Sequence, residues 1–339
     1  MQTHPDSPES MVQTLAAWGK AIAGHPDRSE AIARAVGTNA WFTTAGVDQA
    51  LEALASSMLA EEALASWLPH YALPVQQSKT IGLVLAGNLP AVGFHDLLCV
   101  LASGHRAQVK LSQKDAELLP WMVDRLAELA PALAERVTFA ERLVGFDAVV
   151  ATGSNNSGRY FDHYFGAYPN VIRRNRQSVA VLDGTEVPAD WNGLGHDIFD
   201  FFGLGCRSVS KLYLPLGYRP EKVLEALEPF RETALDHSRY RHNYDYQRTL
   251  LLLNQQVHLA SDFLMLVENP ALASPISCIH YQHYADEAAL VAMLDAEAAQ
   301  RQVTVGKGSG MTPFGRAQWP GPQDYADDVD TLAFLTTLA

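Results

Sequence analysis

Thr80-Ile81-Gly82-Leu83-Val84-Leu85-Ala86-Gly87-Asn88-Leu89-Pro90-Ala91 is the stretch on which the fold turns. Ile81 to Ala86 is almost uniformly apolar, which suits a strand covered on both faces. Gly87, Asn88 and Pro90 break the run, a helix follows from about Val92 to Ser103, and Gln108-Val109-Lys110-Leu111 reads as the next strand. The alternation continues with a helix near 116–129, strands near 137–139 and 147–151, a helix from about Asn156 and a strand over 178–182. That order predicts a doubly wound parallel sheet. Upstream, Leu15, Trp18 and Ile22 share one helical face, and Leu51, Leu54, Met58 and Leu59 repeat the pattern, so a helical cap is expected there. Downstream, a strand to Leu214, helices near 221–230 and 234–257, strands at 263–267 and 276–281, a helix near 286–298 and a strand at 303–305 form a second α/β unit. Asp183-Gly184-Thr185-Glu186-Val187-Pro188 is the most turn-rich linker.

The 339 residues suffice for two lobes, and a formal net charge of −13 argues against nonspecific binding to nucleic acid or an anionic membrane. Cys99, Cys206 and Cys278 are an odd number in a long chain, which argues against a disulfide framework and for a reducing compartment. Met1-Gln2-Thr3-His4-Pro5-Asp6 has no basic segment leading into an apolar one, and Asn88, Pro90, His95 and Asp96 interrupt the most apolar run. No secretory signal or membrane span is therefore expected, and the cytoplasm is the expected location.

Cys206 is the first candidate for chemistry. In Phe201-Phe202-Gly203-Leu204-Gly205-Cys206-Arg207-Ser208 a helical segment ends at Gly203, and Val209-Ser210-Lys211-Leu212-Tyr213-Leu214 begins a strand. The two glycines leave room for a substrate and for the Cys206 amide to meet a carbonyl oxygen, and Arg207 favours a thiolate. A buried structural cysteine at a helix end is the alternative. Asn88, after an apolar strand, either donates into a cleft or serves as a helix cap. The small polar loop Thr152-Gly153-Ser154-Asn155-Asn156 either receives a phosphate at the following helix or simply caps it. Lys110, with Ser112, Gln113 and Lys114, either holds an adenosine ribose or phosphate or is one of a solvated lysine pair. Cys278 and His280 share a strand face while His283 points away, so no metal site is expected. His237-Ser238-Arg239-Tyr240-Arg241-His242-Asn243-Tyr244 either meets an acidic ligand or partner or, the reading preferred, forms the solvated face of a helix.

In order and spacing, these pieces resemble the aldehyde dehydrogenase superfamily from about Thr80 onward. Within it they are most similar to the acyl-CoA reductase branch typified by the fatty-acid reductase of bacterial bioluminescence, the LuxC-type family. Asn88-Leu89-Pro90-Ala91 resembles the superfamily's Asn-Phe-Pro segment, Gln108 to Ser112 its cofactor-binding lysine strand, and Thr152-Gly153-Ser154 its cofactor loop. Cys206 falls at the nucleophile, and Glu268 of Val267-Glu268-Asn269-Pro270 resembles the glutamate that holds the nicotinamide ribose. Phe314-Gly315-Arg316-Ala317-Gln318 and Asp324-Tyr325-Ala326-Asp327 are similar to the acyl-CoA reductases in particular. The resemblance implies a mixed α/β fold, aldehyde dehydrogenase-like, with a helical N-terminal cap over 1–75 and a Rossmann-type cofactor-binding domain over 76–185. A catalytic α/β domain is implied over 186–310, and a C-terminal segment, 311–339, that returns to the cofactor domain.

Two departures shape the expected activity. Where hydrolytic members carry a water-activating glutamate in Glu-Leu-Gly-Gly-Lys, this chain reads Ile172-Arg173-Arg174-Asn175-Arg176-Gln177-Ser178, without a carboxylate. Reduction of a thioacyl intermediate needs no activated water, so the expected activity is an NAD(P)H-dependent acyl-CoA reductase that forms an aldehyde. The third residue after Lys110 is Gln113 rather than an acid that repels a 2′-phosphate, which favours NADPH, with NADH as the alternative. The resemblance assigns Cys206 and Asn88 to catalysis and Lys110, Ser112, Gln113, Gly153, Ser154 and Glu268 to the cofactor. It implies a homo-oligomer and an acyl-CoA substrate, with an acyl-activating enzyme as partner. An acyl carrier protein or acyl phosphate donor, or a non-catalytic acyl-binding subunit of a fatty-acid reductase complex, are the alternatives.

Overall fold

In a computed structural model, which describes residues 8–153 and 155–338, the apolar run at Thr80 forms β1 (Thr80–Val84) at the centre of a five-stranded parallel sheet. Before it come α1 (Pro8–Gly24), α2 (Arg28–Thr38), α3 (Thr44–Ala53) and α4 (Glu61–Trp67). The amphipathic spacing of α1 buries Leu15, Trp18 and Ile22 completely, each contributing about 1.5–3 kcal/mol. Trp18 also satisfies its indole N–H on the Met122 carbonyl at 2.7 Å, so its polar edge is not stranded in the core.

After β1 run α5 (Phe94–Ser103), β2 (Arg106–Lys110), α6 (Leu118–Leu129), α7 (Pro131–Ala134), β3 (Val137–Phe139), β4 (Ala148–Thr152), α8 (Asn155–Phe165) and β5 (Asn170–Arg173). The strand order is β3-β2-β1-β4-β5, a doubly wound arrangement as expected. Gly104 ends α5 in the left-handed conformation at φ 91°, where a side chain would be strained.

The second sheet takes β6 (Gln177–Val181), α9 (Pro188–Phe199), β7 (Val209–Pro215), α10 (Glu221–Ala226), α11 (Arg231–Asp236), α12 (Ser238–Leu253), β8 (Leu259–Ala260), β9 (Met265–Glu268), β10 (Cys278–Tyr284), α13 (Glu287–Ala296) and β11 (Arg301–Val305). Its order is β11-β6-β7-β10-β9-β8, and among the described residues β8 is the strand that runs antiparallel to its neighbour. The chain ends in α14 (Thr331–Thr336). Met1–Asn175 together with Trp319–Ala339 form one compact unit and Arg176–Gln318 the other.

Besides β5 and β8, which it did not anticipate, three details differ from the sequence reading. β6, read there as lying ahead of the turn-rich linker, belongs to the second sheet, so the chain changes sheets at Asn175. The segment 311–339 divides, its first residues lying in the second unit and Trp319 onward in the first. The long helix expected over 234–257 breaks at His237, whose ring accepts the Tyr240 N–H at 3.2 Å and caps α12. The helix it caps is not all solvated, because Tyr240 and Tyr244 are buried while Arg239 and Arg241 face out.

Candidate active site

In the first unit, parallel pairing of β1 with both β2 and β4 puts three carboxyl ends on one edge. The ladder runs one residue past β1, with the Leu85 N–H donating to the Lys110 carbonyl at 3.1 Å. The chain then turns through Gly87, where an added Cβ would lie 2.5 Å from Ser112 Oγ, so the position admits no side chain unless the Ser112 turn moves. The Asn39 amide donates to the Gly87 carbonyl at 3.0 Å. On the far side, Ala91 takes a left-handed φ of 51° and donates its N–H to Asp115 Oδ2 at 2.6 Å. Asn88 lies between these anchors and is exposed. Asp115 is buried, and desolvation pushes its carboxyl up to about 6 although the Ala91 and Leu118 amides oppose the shift.

Lys110 and Gln113 are exposed, and Ser112 Oγ accepts the Lys114 N–H at 3.3 Å. Gly153 directly follows β4; Ser154 lies outside the described residues. Asn88, Lys110, Ser112, Gln113 and Gly153 thus gather on the carboxyl edge of one sheet, where β1 and β4 adjoin and the strand order reverses. This is the position at which open α/β sheets receive a nucleotide. Lys110 adds an exposed cation to that edge.

In the second unit Cys206 is half-buried in the loop between α9 and β7. Pro188 at the first position of α9 and Asp190, which accepts the Val187 N–H at 2.9 Å, start that helix. Phe202 at φ 54° and Gly203 at φ 77° turn the chain out of it. The Ser178 hydroxyl, on neighbouring β6, donates to the Cys206 carbonyl at 2.8 Å. The loop closes with the Ser208 N–H on the Gly205 carbonyl at 3.1 Å. Phe202 and Ser277, both non-glycine residues with left-handed φ, border one small hollow beside this loop, a concentration of backbone strain typical of functional positions.

The loop is also supported from behind. Gln318 donates to Ser208 Oγ at 3.3 Å, and the stretch before Gln318 is held by Asp197 of α9, which accepts the Gly315 N–H at 2.7 Å and the Ala317 N–H at 3.0 Å. Gly193 permits this approach, since a Cβ there would lie 2.6 Å from the Phe314 carbonyl carbon. Asp197 is 1% exposed. Burial pushes its carboxyl up to about 7, Asp200 adding to the rise while both amides and His196 oppose it.

Glu268 is exposed at the carboxyl end of β9, in register with Tyr281 of β10. Cys206 precedes the amino end of β7, so the second sheet does not bring these two residues to one edge. The segment after Glu268 is tied down by buried Lys211, whose ammonium donates to the Pro270 carbonyl at 2.7 Å and to Glu297 at 2.6 Å. Tyr213 also donates to Glu297. Cys278, His280 and His283 are separately engaged: burial pushes the Cys278 thiol up to about 12, His280 Nδ1 meets the Ala271 carbonyl, and His283 Nε2 meets that of Tyr218. No cluster of metal-ligating side chains occurs among the described residues.

The region expected to correspond to the water-activating glutamate has a structural job. Arg173, 4% exposed at the end of β5, pairs with Asp96 Oδ1 of α5 at 2.7 Å and donates to Thr331 Oγ1 and the Ala326 carbonyl. Asp324-Tyr325-Ala326-Asp327 lies in the same unit, where the Tyr325 hydroxyl accepts the Trp67 indole N–H at 2.7 Å and meets the Tyr71 hydroxyl at 2.8 Å. Sequence reasoning missed Asp115 and Asp197. Their only signal was a carboxylate inside or just ahead of an otherwise apolar helix.

No sequence-family profile matches this chain, and no curated protein matches it. Solved structures do. An aldehyde dehydrogenase assignment from Burkholderia cenocepacia aligns with a TM-score of 0.68 at 14% identity, covering 90% of this chain and 75% of that one. Aldehyde dehydrogenase 21 of Physcomitrella patens, solved with the reaction product succinate, gives 0.65 at 11% identity over 89% and 73%. The NADP-dependent glyceraldehyde-3-phosphate dehydrogenase of Bacillus halodurans, solved with NADP, gives 0.63 at 12% identity over 90% and 74%. On these similarities, the fold of this chain is that of the aldehyde dehydrogenases.

Proposed function

We propose that the protein is an NADPH-dependent oxidoreductase that reduces an acyl-CoA to its aldehyde through a thioacyl intermediate on Cys206. The observation that carries this reading is the Cys206 loop, in which a half-buried thiol sits on a backbone fixed by Ser178 and by the Gln318 contact to Ser208. A fixed backbone aims the Cys206 amide at one point, as an oxyanion donor requires. The sulfur attacks the thioester carbon, the carbonyl oxygen gains negative charge, and collapse expels the CoA thiolate, which takes up a proton. The Cys206 N–H donates to the oxyanion, and Asn88 is its second donor by resemblance alone. When bound, NADPH supplies the two electrons that reduce the thioacyl carbon, releasing aldehyde and the free cysteine.

On this reading Lys110, Ser112, Gln113, Gly153 and Ser154 hold the diphosphate and adenosine end; the resemblance gives Glu268 the nicotinamide ribose, but its place at the opposite edge of the sheet from Cys206 speaks against that role. NADPH is favoured because neutral Gln113, beside Lys114, presents no charge to a 2′-phosphate. Reduction rather than hydrolysis is supported by the role of Arg173, which fills the segment where a water-activating carboxylate would stand and is committed to Asp96. The test is a panel of acyl-CoA lengths assayed with NADPH and with NADH, alongside Cys206→Ala. Aldehyde formation by the wild type and none by the variant is expected. Cofactor oxidation by Cys206→Ala at the wild-type rate would overturn the mechanism.

A further inference from the structure

A pocket of about 400 Å³ lies in the second unit between α12 and the segment joining β9 to β10. Leu251, Val267 and Cys278 form its apolar floor, and the side chains of Gln247, Asn254 and Gln256 stand on its rim. None of its lining residues carries a formal charge. A charged ligand therefore has no counter-ion there, whereas a neutral chain of suitable size does fit such a site.

His280 makes the pocket selective. It is 6% exposed, and its Nδ1 lies 2.8 Å from the Ala271 carbonyl. A carbonyl only accepts, so Nδ1 carries the proton. Burial also lowers the ring's pKa, with Lys211 adding to the effect. The ring is therefore neutral, and Nε2 is left as an acceptor with no hydrogen-bond partner among the described residues. A ligand matching these groups is uncharged and flexible, with an N–H for Nε2, further amide groups for the rim and methylenes for the floor.

The pocket also adjoins the nucleophile's loop. Cys278 and Val209, three residues after Cys206, line one small hollow. Pro275 and Cys278 are shared with the small hollow that Phe202, Gly203, Val209 and Ser210 line on its other side. Resting on the acyl-thioester reading above, we propose that this pocket receives the pantetheine arm of the thioester donor. That arm is neutral, carries two secondary amides between short alkyl spacers, and ends at the sulfur that Cys206 would displace. The same arm occurs in CoA and in acyl carrier protein, so the shared arm is what the site recognises.

The test measures pantetheine binding by calorimetry to Cys206→Ala, which prevents covalent transfer, and to Cys206→Ala carrying Ala273→Trp, which fills the pocket from an exposed position. Ala273→Trp is expected to weaken pantetheine binding at least about tenfold. Placed in the wild type, it raises KM for acyl-CoA and acyl carrier protein thioesters by a similar factor while leaving KM for an acyl phosphate unchanged. Gln247→Leu, with a smaller effect in the same direction, serves if the tryptophan variant does not fold. A KM effect confined to acyl-CoA identifies CoA as the source of the arm. Unaltered pantetheine binding by a folded Ala273→Trp variant would overturn the proposal. Pocket-dependent binding of pantetheine by a protein that reduces no thioester would instead leave the pocket standing and sink the catalytic reading.

Discussion

Asp197→Asn separates the charge of the buried carboxylate behind the Cys206 loop from its shape. In the wild type, burial raises the carboxyl from 3.8 to about 7. The native state therefore holds a proton over a range where the unfolded chain has released it, and stability from this group is fully present at low pH. It is lost as pH rises from the unfolded value through the native one. From about pH 5.5 to about pH 8.5 the loss is about 2 kcal/mol by linkage. Asparagine removes this equilibrium and turns one accepting oxygen into an NH2 that faces a backbone N–H, at about 1–3 kcal/mol. The variant is therefore less stable at the lower pH, and the gap narrows by about 2 kcal/mol at the higher. Equilibrium urea unfolding of both proteins at the two pH values, with m-values compared, measures this directly. Equal loss of stability by wild type and variant across the window would refute the assignment.

Other perturbations test other parts of the structure. Gly195→Ala would put a Cβ 1.9 Å from the Phe230 ring, so overpacking of about 1–3 kcal/mol should exceed the helix-propensity gain of about 1 kcal/mol; thermal stability equal to wild type would contradict it. Arg173→Met leaves Asp96 buried without its partner and should cost about 3–5 kcal/mol, with Asp96→Asn added to it restoring part of the loss in chemical denaturation. Gly87→Ala must displace the Ser112 turn, whose Oγ would lie 2.5 Å from the new Cβ, and a fluorescence titration should show NADPH binding about tenfold weaker; unchanged binding would remove this loop from the cofactor site.

Strands were legible wherever apolar runs were continuous. β1, β4, β6 and β7 bury successive side chains on both faces, which leaves the apolar signature at 80–84. β5 escaped because it ends on Arg173, whose burial depends on Asp96 on another element, a pairing no local pattern displays. The break at His237 escaped for the opposite reason: a histidine cap is a geometric event, and the residues around it read as continuous helix. Cys206 stood out through its flanking glycines, and Asn88 through the strand it follows. The groups that fix them, Ser178, Asn39, Asp115 and Asp197, are far away in sequence or carry side chains whose roles appear only once burial is known. Cys278 and His280 drew attention as a metal spacing or a strand, and their shared pocket emerged only from the packing of α12.

The division of the chain bears on its synthesis. The second unit is one uninterrupted run, Arg176–Gln318, whereas the first is completed by Trp319–Ala339. A ribosome working from the amino end thus delivers the whole second unit before the last pieces of the first. Until then Arg173 lacks Thr331 and the Ala326 carbonyl, and Trp67 lacks the Tyr325 hydroxyl. The nascent first unit exposes the apolar surface of α5 that α14 later covers, and this is the surface a chaperone would meet during translation.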